Sequence, residues 1–311
     1  MKKLSSAMLS LCASVAFLSA VEAQTVPMLP QGTRALVIEI LGQSNANGSD
    51  AKWNTLTDDT KAIYNEVANY TRVWERFVVP SSSSFVPLEP GFALGSTTAE
   101  PFIGPEMSLA RFLHDHYSPQ VNDIEIFIIK YAVPNTILRA DAMELDWSAS
   151  STGELFDKWR SPMSSDARRA ILNLGYQKDE VVHLGVVWAQ GYTDARNYPG
   201  VGAQEYGRKL VDFMAAVRDE LAQESPFVVV QTVEPLSGGF PDLAILRRTQ
   251  EFIGTRFPYC AFSSTAGLAL DPTFTVHMTA RSQIVNGQRI GAALIDYFAV
   301  NNAQYLTLAD L

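Results

Sequence analysis

Ser44 is the side chain whose sequence neighbours first indicate chemistry. It lies in the run Leu-Gly-Gln-Ser-Asn-Ala-Asn-Gly (41–48), directly after the apolar segment 34–41. A serine attacks a carbonyl carbon only when a neighbouring base takes its proton. By composition alone the run also suits an ordinary turn rich in Gly, Ser and Asn. Its position at the end of an apolar segment is what makes Ser44 a candidate nucleophile.

The base for such a serine must come from four histidines. His114 and His116 precede an apolar segment, and His183 lies near the start of another. His277 follows the last apolar segment and stands just before a predicted helix. In a parallel sheet, ligands bind at the edge formed by the carboxyl ends of the strands. We therefore predict that His277, alone among the four, lies on the edge that carries Ser44.

The elements that must position these residues alternate between strand and helix patterns. Near-continuous apolar runs predict five strands, at 34–41, 124–131, 181–188, 227–233 and 258–263. Helical patterns cover 105–117, 202–221, 241–252 and 279–298. Apolar runs of this kind suit strands covered on both faces, and the alternation predicts a parallel sheet with helices on both sides. The irregular stretch 45–104 is predicted to be an elaborated loop region.

Two further strand ends carry polar groups that could complete an acyl-transfer site. The loop 131–136 contains Asn135, and the loop 188–194 contains Gln190. Such a site needs donors aimed at the developing oxyanion. The backbone N–H groups of Ser44 and Asn135 and the side-chain amide of Gln190 could supply three. Either loop residue alone would suit ordinary loop capping, but all four candidates lie on one predicted edge.

Composition excludes several other classes of protein. The chain has 311 residues, of which 47% are hydrophobic and 18% charged, so it can bury a sizeable core. Its net charge of −9 argues against nucleic acid as a partner. It contains no G-x-S-x-G elbow, no H-E-x-x-H motif, no cysteine cluster and no dinucleotide fingerprint. We therefore expect neither a metal nor another cofactor.

The first residues have the pattern of a secretory signal peptide. Lys2 and Lys3 precede an apolar stretch that ends in Val-Glu-Ala at position 23. The alternative, a membrane anchor, fits less well because the run is short and broken by serines. We expect 1–23 to be removed, which leaves one domain over 24–311 in the periplasm or the medium, without a membrane partner. The sequence predicts no oligomeric state.

Taken in order, these motifs resemble the SGNH hydrolase superfamily, and within it the sialate O-acetylesterase group and the acetylxylan esterases of carbohydrate esterase family 6. The matching motifs are G-Q-S-N at 42–45, G-P-E at 104–106, K-x-A-x-x-N-T at 130–136, Q-G-x-x-D at 190–194 and the histidine before the last helix. The resemblance implies a flavodoxin-like three-layer α/β/α sandwich with a mostly parallel five-stranded sheet.

The resemblance also implies a reaction. Ser44 would be the nucleophile and His277 the base of an esterase that releases acetate from an acetylated sugar. Asn135 and the amide of Gln190 would complete the oxyanion hole. Gln43 and Asn45, the neighbours of Ser44, are assigned to the same oxyanion and substrate-binding set. No cofactor is implied.

The chain departs from this family where acidic residues are expected. The family's D-x-x-H reads Phe274-x-x-His277 here, and its Q-G-E ends in Tyr192. Three routes stay open: a Ser-His dyad, orientation of His277 by Asp271 or Asp194, or reduced activity. We assign Asp271, the nearest upstream acid, to the catalytic set. Two alternatives to a sugar esterase remain, namely a catalytically weak carbohydrate-binding relative and an SGNH esterase for lipid or thioester substrates.

Overall fold

The computed structural model describes residues 27–75, 84–141, 145–197, 200–236, 240 and 242–311. The predicted signal peptide, 1–23, lies outside these residues. The strands of the described part are β1 (Ala35–Gly42), β2 (Thr71–Glu75), β3 (Val86–Pro87), β4 (Glu125–Ala132), β5 (Val181–Ala189), β6 (Phe227–Val230), β7 (Cys260–Ser263) and β8 (Leu306–Thr307).

One sheet contains all of these strands. Its order is β3-β2-β4-β1-β5-β6-β7, and β8 pairs with β5. The five predicted strands correspond to β1, β4, β5, β6 and β7. Across the sheet their order is β4-β1-β5-β6-β7, and each is parallel to its neighbours in this order. This is the flavodoxin-like order, so the predicted fold class is confirmed. The sheet is wider than the predicted five strands, because β2 adds parallel to β4 and β3 and β8 add antiparallel.

Helices connect the strands of this sheet. They are α1 (Ser44–Asn47), α2 (Asp58–Asn65), α3 (Glu106–Tyr117), α4 (Leu155–Lys158), α5 (Ser165–Asn173), α6 (Tyr192–Asn197), α7 (Gly202–Glu220), α8 (Leu243–Arg256) and α9 (Ala280–Asn301). Short 3₁₀ turns cover Trp53–Thr55, Glu66–Asn69 and Lys178–Glu180, and a π-helical stretch covers Trp159–Ser164. None of the helices among the described residues is long and apolar enough to cross a membrane.

Alternate residues of β1 build a separate core on each face of the sheet. Leu36, Ile38 and Ile40 pack into one apolar cluster with α3 and α9. Val37 and Leu41 pack into the other, with α5, α7 and α8. Since side chains alternate across a strand, an entirely apolar strand is stable only when both faces are covered. The two cores therefore explain the continuous apolar runs of the sequence.

The described part of the stretch 45–104 is more regular than predicted. It forms α2, whose N-cap Thr57 accepts a hydrogen bond from the Thr60 backbone N–H at 3.3 Å. It also supplies β2, which is buried against β4. The prediction of a loop region was wrong because β2 is short and carries Arg72 and Glu75 among its apolar residues, so it lacks the continuous apolar pattern of the central strands.

The end of β1 depends on a glycine. Gly42 has φ +143°, and a Cβ built there would lie 2.3 Å from the carbonyl oxygen of Ala189 on the neighbouring strand. The same carbonyl accepts the backbone N–H of Gln43 at 3.0 Å. Only glycine permits this backbone angle together with this close approach. Gly42 thus lets β1 turn directly into α1, with Ser44 as the first helical residue.

We expect Gly42→Ala to destabilise the protein more than Gly32→Ala. Both glycines have positive φ, but a Cβ on Gly32 would meet nothing within 4 Å. Gly32→Ala should therefore cost only the backbone strain, about 1 kcal/mol, and Gly42→Ala at least twice as much because the neighbouring strand must also move. Denaturant unfolding of both variants measures the difference. Equal losses would show that β1 and β5 can separate at little cost.

Candidate active site

Ser44 lies where β1 turns into the four-residue helix α1. Gln43 is extended, and the helix ends at Gly48 with φ +90°. The Gly48 N–H donates to the carbonyl of Ser44 at 2.8 Å. Ser44 is 7% exposed, at the carboxyl edge of the sheet. The turn thus presents a serine on a rigid, mostly buried backbone.

His277 lies on the same edge, and the carboxylate beside it belongs to Asp50. Nδ1 of His277 is 2.6 Å from Oδ2 of Asp50, and their side chains are 19% and 21% exposed. Asp50 follows α1 closely and has φ +63°. It was not among the sequence candidates, since nothing in its local pattern separates it from other turn aspartates. Only the fold brings it to a histidine more than two hundred positions away.

Asp271 does not contact the His277 ring in this structure, which corrects its assignment as the orienting acid. Its Oδ1 accepts the backbone N–H of Thr273 at 2.8 Å, an ordinary turn contact. Its backbone N–H donates to the carbonyl of His277 at 2.8 Å. The residues pair through the main chain, as neighbours across a narrow loop, and the carboxylate caps its own turn. Sequence proximity to His277 was therefore misleading.

Asn45, the residue after Ser44, holds the backbone on both sides of His277. Its Nδ2 donates to the carbonyl of Val276 at 3.0 Å, and its Oδ1 accepts the N–H of Met278 at 3.0 Å. The carbonyl of Asn45 accepts Nε2 of Gln283 on α9 at 3.0 Å. Both ends of this amide are engaged within the protein. The Asn45 amide thus ties the backbone around His277 to the segment of Ser44, and its assignment to the substrate and oxyanion set stays a prediction.

A buried ion pair lies beneath α1. Nζ of Lys130 is 3.0 Å from Oε2 of Glu106, and neither side chain is more than 2% exposed. The same Nζ donates to the carbonyl of Asn47 at 2.8 Å and to that of Phe92 at 2.6 Å. A buried charge needs such partners to offset its loss of hydration. The G-P-E and K-x-A motifs of the sequence therefore meet in one contact that fixes the end of α1.

Gln190 uses both N–H groups of its side-chain amide inside the protein. Its Nε2 donates to the carbonyl of Thr136 at 2.9 Å and to Oδ2 of Asp194 at 2.5 Å. Its buried Oε1 has no hydrogen-bond partner among the described residues. With both N–H groups used and only an acceptor left, this amide cannot donate to an oxyanion in the observed conformation. It instead ties the loop after β4 to the loop after β5.

Asp194 is the buried partner of Gln190. Its Oδ1 accepts the backbone N–H of Leu138 at 3.1 Å. Burial raises the pKa of this carboxyl to about 6, although the hydrogen bonds from Gln190 and Leu138 act in the opposite direction. Asp194 makes no contact with His277 among the hydrogen bonds and ion pairs of the described residues. Asp194, the acid of the Q-G-x-x-D motif, therefore supports the loop after β4 and the loop after β5.

Among the sequence candidates, the side chain of Gln43 and the backbone of Asn135 could face a substrate. Oε1 of Gln43 accepts the N–H of Gly191 at 3.1 Å, and its Nε2 has no protein partner among the described residues. Asn135 is exposed and has φ +59°. The loop before it is anchored beside Ser44, because the Val133 N–H donates to the carbonyl of Gly42 at 2.9 Å.

The other histidines lie in structural positions. His183 is fully buried in β5, with Nε2 3.8 Å from Oε1 of Glu39. His114 stacks on Tyr70 with ring centroids 3.7 Å apart, and His116 packs edge-on against Tyr117. The structure therefore places the three where the sequence predicted, in strand and helix and away from the edge of Ser44.

The fold and the position of Ser44 at the carboxyl edge of the sheet define a class of protein. A flavodoxin-like sheet with a serine turn after its first strand is the architecture of the SGNH hydrolases, as the motifs predicted. More narrowly, the family model described as "Carbohydrate esterase, sialic acid-specific acetylesterase" matches residues 35–296, and the chain belongs to this family. Membership indicates an esterase of the carbohydrate acetylesterase class, with an acetylated carbohydrate as its kind of substrate.

Solved structures share the fold at low sequence identity. The structure of NanS aligns with a TM-score of 0.60 and 15% identity, over 88% of this chain and 99% of its own. A protein from Arabidopsis thaliana aligns with a TM-score of 0.58 and 16% identity, over 85% and 98%. A carbohydrate acetylesterase from Xanthomonas citri aligns with a TM-score of 0.52 and 17% identity, over 86% of this chain and 56% of its own. No curated protein sequence matches the chain.

The pKa of Asp194 predicts how stability varies with pH. The folded carboxyl titrates at about 6 and the unfolded one at about 3.8. Between these values the folded state binds more protons, so the free energy of unfolding should fall as pH rises from about 4 to 6. This fall in the free energy of unfolding amounts to about 3 kcal/mol. Above pH 6 the Asp194 carboxyl should cause no further change.

Denaturant unfolding of wild type and Asp194→Asn across this range measures the effect. The variant lacks this titration, so the unfolding free energy of wild type should fall relative to that of the variant as pH rises from about 4 to 6. Parallel pH profiles would show that the folded carboxyl titrates at an ordinary pKa.

Proposed function

We propose that this protein is a serine esterase that removes acetyl groups from a carbohydrate, with Ser44 as nucleophile, His277 as general base and Asp50 as the acid that orients it. The observation that carries the proposal is the 2.6 Å contact between Nδ1 of His277 and the Asp50 carboxylate. It accompanies the tie from Asn45, the neighbour of Ser44, to the backbone around His277.

The contact with Asp50 sets the tautomer that the reaction needs. A carboxylate at Nδ1 keeps the proton there, which leaves Nε2 as the acceptor. Ser44 Oγ attacks the acetyl carbonyl carbon while its proton passes to Nε2. The imidazolium then protonates the departing sugar oxygen, which leaves acetyl-Ser44 and the free sugar hydroxyl. Water activated by Nε2 hydrolyses the acetyl-serine, releasing acetate and restoring the serine.

The developing oxyanion needs donors from the same edge. We assign the backbone N–H of Ser44, which as the first helical residue has no intrahelical acceptor, and the backbone N–H of Asn135. The Gln43 amide is a third candidate, because Gly191 holds its oxygen and its Nε2 is uncommitted. Gln190 contributes indirectly, by fixing the loop that carries Asn135.

The contact with Asp50 also bears on the alternatives. A catalytically weak carbohydrate-binding relative was motivated by the missing acids at 192 and 274, and Asp50 supplies a carboxylate at His277 from another segment. Family membership favours a sugar ester over a lipid or thioester. The proposal includes export, since 1–23 has the signal-peptide pattern, with 24–311 as the mature esterase domain.

Substitutions at the three proposed catalytic residues should separate a triad from a dyad. With 4-nitrophenyl acetate and acetylated xylan, Ser44→Ala and His277→Ala should abolish turnover. Asp50→Asn should lower kcat by up to about 10⁴-fold, because the histidine tautomer is no longer fixed. Initial rates of acetate release measure all three.

Asp271→Asn is the matched control, since its carboxylate faces its own turn. It should stay within a few-fold of wild type. An Asp271→Asn loss as large as that of Asp50→Asn would contradict the assignment of the acid. Equal rates for wild type and Ser44→Ala on every ester would contradict the esterase itself.

Removing the Asn45 amide should impair turnover without unfolding the protein. Asn45→Ala frees the backbone at Val276 and Met278, so His277 can drift from Ser44. Misplacement of a reacting group by about 1 Å can cost about 100-fold in rate, and we expect a kcat loss of that order with KM within twofold.

Two measurements make this result specific. The Nδ1 proton that His277 shares with Asp50 should give a downfield ¹H NMR signal in wild type that broadens in Asn45→Ala. Asn301→Ala, which removes an amide bonded to the Tyr297 carbonyl at 2.8 Å near the end of α9, should change neither readout. Wild-type kcat in folded Asn45→Ala would rule out the positioning role.

A further inference from the structure

Phe274 is an exposed aromatic ring beside the proposed general base. Its side chain is 42% exposed, and its ring centroid lies 6.0 Å from that of His277 at an interplanar angle of 33°. It stands three positions before the histidine, where the related motif carries an aspartate. Single exposed apolar side chains are common on protein surfaces, so exposure alone assigns nothing. The position next to His277 is what calls for an explanation.

The turn that carries Phe274 is held in place by its backbone. Leu270 and Met278 form an antiparallel bridge, and the Thr275 N–H donates to the carbonyl of Asp271 at 2.9 Å. From outside the turn, the Leu236 N–H donates to the carbonyl of Thr275 at 3.1 Å. The ring is therefore presented from an ordered loop, which lowers the entropic cost of binding against it.

Charged side chains belong to the same region of the protein. Lys52 pairs with Glu100 at 2.9 Å and interacts electrostatically with Asp271 and Asp50. An aromatic face in a region that also carries charged side chains is a surface suited to a sugar. The ring contacts the apolar C–H face of a pyranose, and the polar groups bond to its hydroxyls.

The position of the acid explains how an aromatic residue can occupy this site. Because Asp50 reaches Nδ1 from the segment after α1, no carboxylate is needed three residues before His277. Position 274 is then released from orienting the base, while it still projects beside the reacting centre. A residue there can contact the part of the substrate that leaves with the sugar oxygen.

We propose that Phe274 is a sugar-stacking residue that sets the preference of the site for esters of cyclic sugars, with the pyranose ring against its exposed face while the acetyl group reaches Ser44. This proposal rests on the esterase function proposed above. The competing explanation is that Phe274 only shields the pair of His277 and Asp50 from water. The two explanations differ in which substrates are hydrolysed less efficiently when Phe274 is replaced.

Paired substrates distinguish these explanations. One is an acetylated xylo-oligosaccharide, and the other is ethyl acetate, which lacks a ring that could stack; 4-nitrophenyl acetate is unsuitable because its own ring could contact Phe274. Acetate release by wild type, Phe274→Ala, Phe274→Leu and Phe274→Trp is followed for both. Phe274→Leu retains apolar bulk and removes the aromatic face.

Stacking predicts a loss confined to the sugar ester. Phe274→Ala and Phe274→Leu should raise its KM about tenfold with kcat within twofold, because the contact binds ground and transition states alike. Phe274→Trp should restore the wild-type KM, and kcat/KM for ethyl acetate should stay within twofold in all three variants. Phe252→Ala, which removes a ring 58% exposed on α8, should leave both substrates unchanged.

Two results would overturn the proposal. Equal losses on both substrates in Phe274→Ala, with recovery in Phe274→Leu, would assign Phe274 to shielding. No loss on either substrate would assign it no role.

If wild type hydrolyses neither ester, the esterase function fails, and calorimetric titration of the oligosaccharide into wild type and Phe274→Ala still decides the stacking claim. Binding weakened about tenfold in the variant would support it. Equal binding, or none to wild type, would overturn it.

Discussion

The candidate site depends on one short segment, 44–50, being held rigidly at the end of β1. This segment carries the proposed nucleophile, the amide that ties the histidine loop and the carboxylate that contacts His277. The buried pair of Lys130 and Glu106 holds it from below, since Lys130 also donates to the carbonyl of Asn47. Replacing either charge alone would leave the other buried and unpaired, which is strongly unfavourable.

This arrangement brings residues that are far apart in sequence to the same edge of the sheet. Asn47 donates to the carbonyl of Ala132 at the end of β4, so the loop that carries Asn135 is registered against the serine turn. Gln190 then joins that loop to the one after β5. Side-chain amides bonded to backbone carbonyls thus tie α1 to the end of β4, and the loop after β5 to the loop after β4.

The sequence predicted those features that depend on local pattern and strand order. The five central strands were found because each is largely apolar, as a sheet covered on both faces requires, and the edge of His277 followed from chain order. Asp50 was missed because its role depends on a contact across the fold, and an aspartate in a turn has an ordinary local explanation. Gln190 was assigned as a donor because sequence cannot show that both of its N–H groups are already used.

The source of the acid matters for how such a site can diversify. A serine triad is defined by geometry, and its members can come from any segment that reaches the same positions. Here the proposed nucleophile Ser44, the Asn45 amide and the Asp50 carboxylate belong to one segment, and the proposed base His277 belongs to the loop 271–277. The backbone of the turn before His277 is held by hydrogen bonds with the Asn45 side chain and the Leu236 N–H, and by a bond within the turn to Asp271. The exposed Phe274 side chain makes none of these bonds. The proposed sugar contact at position 274 can therefore change without disturbing the Asp50 carboxylate at His277.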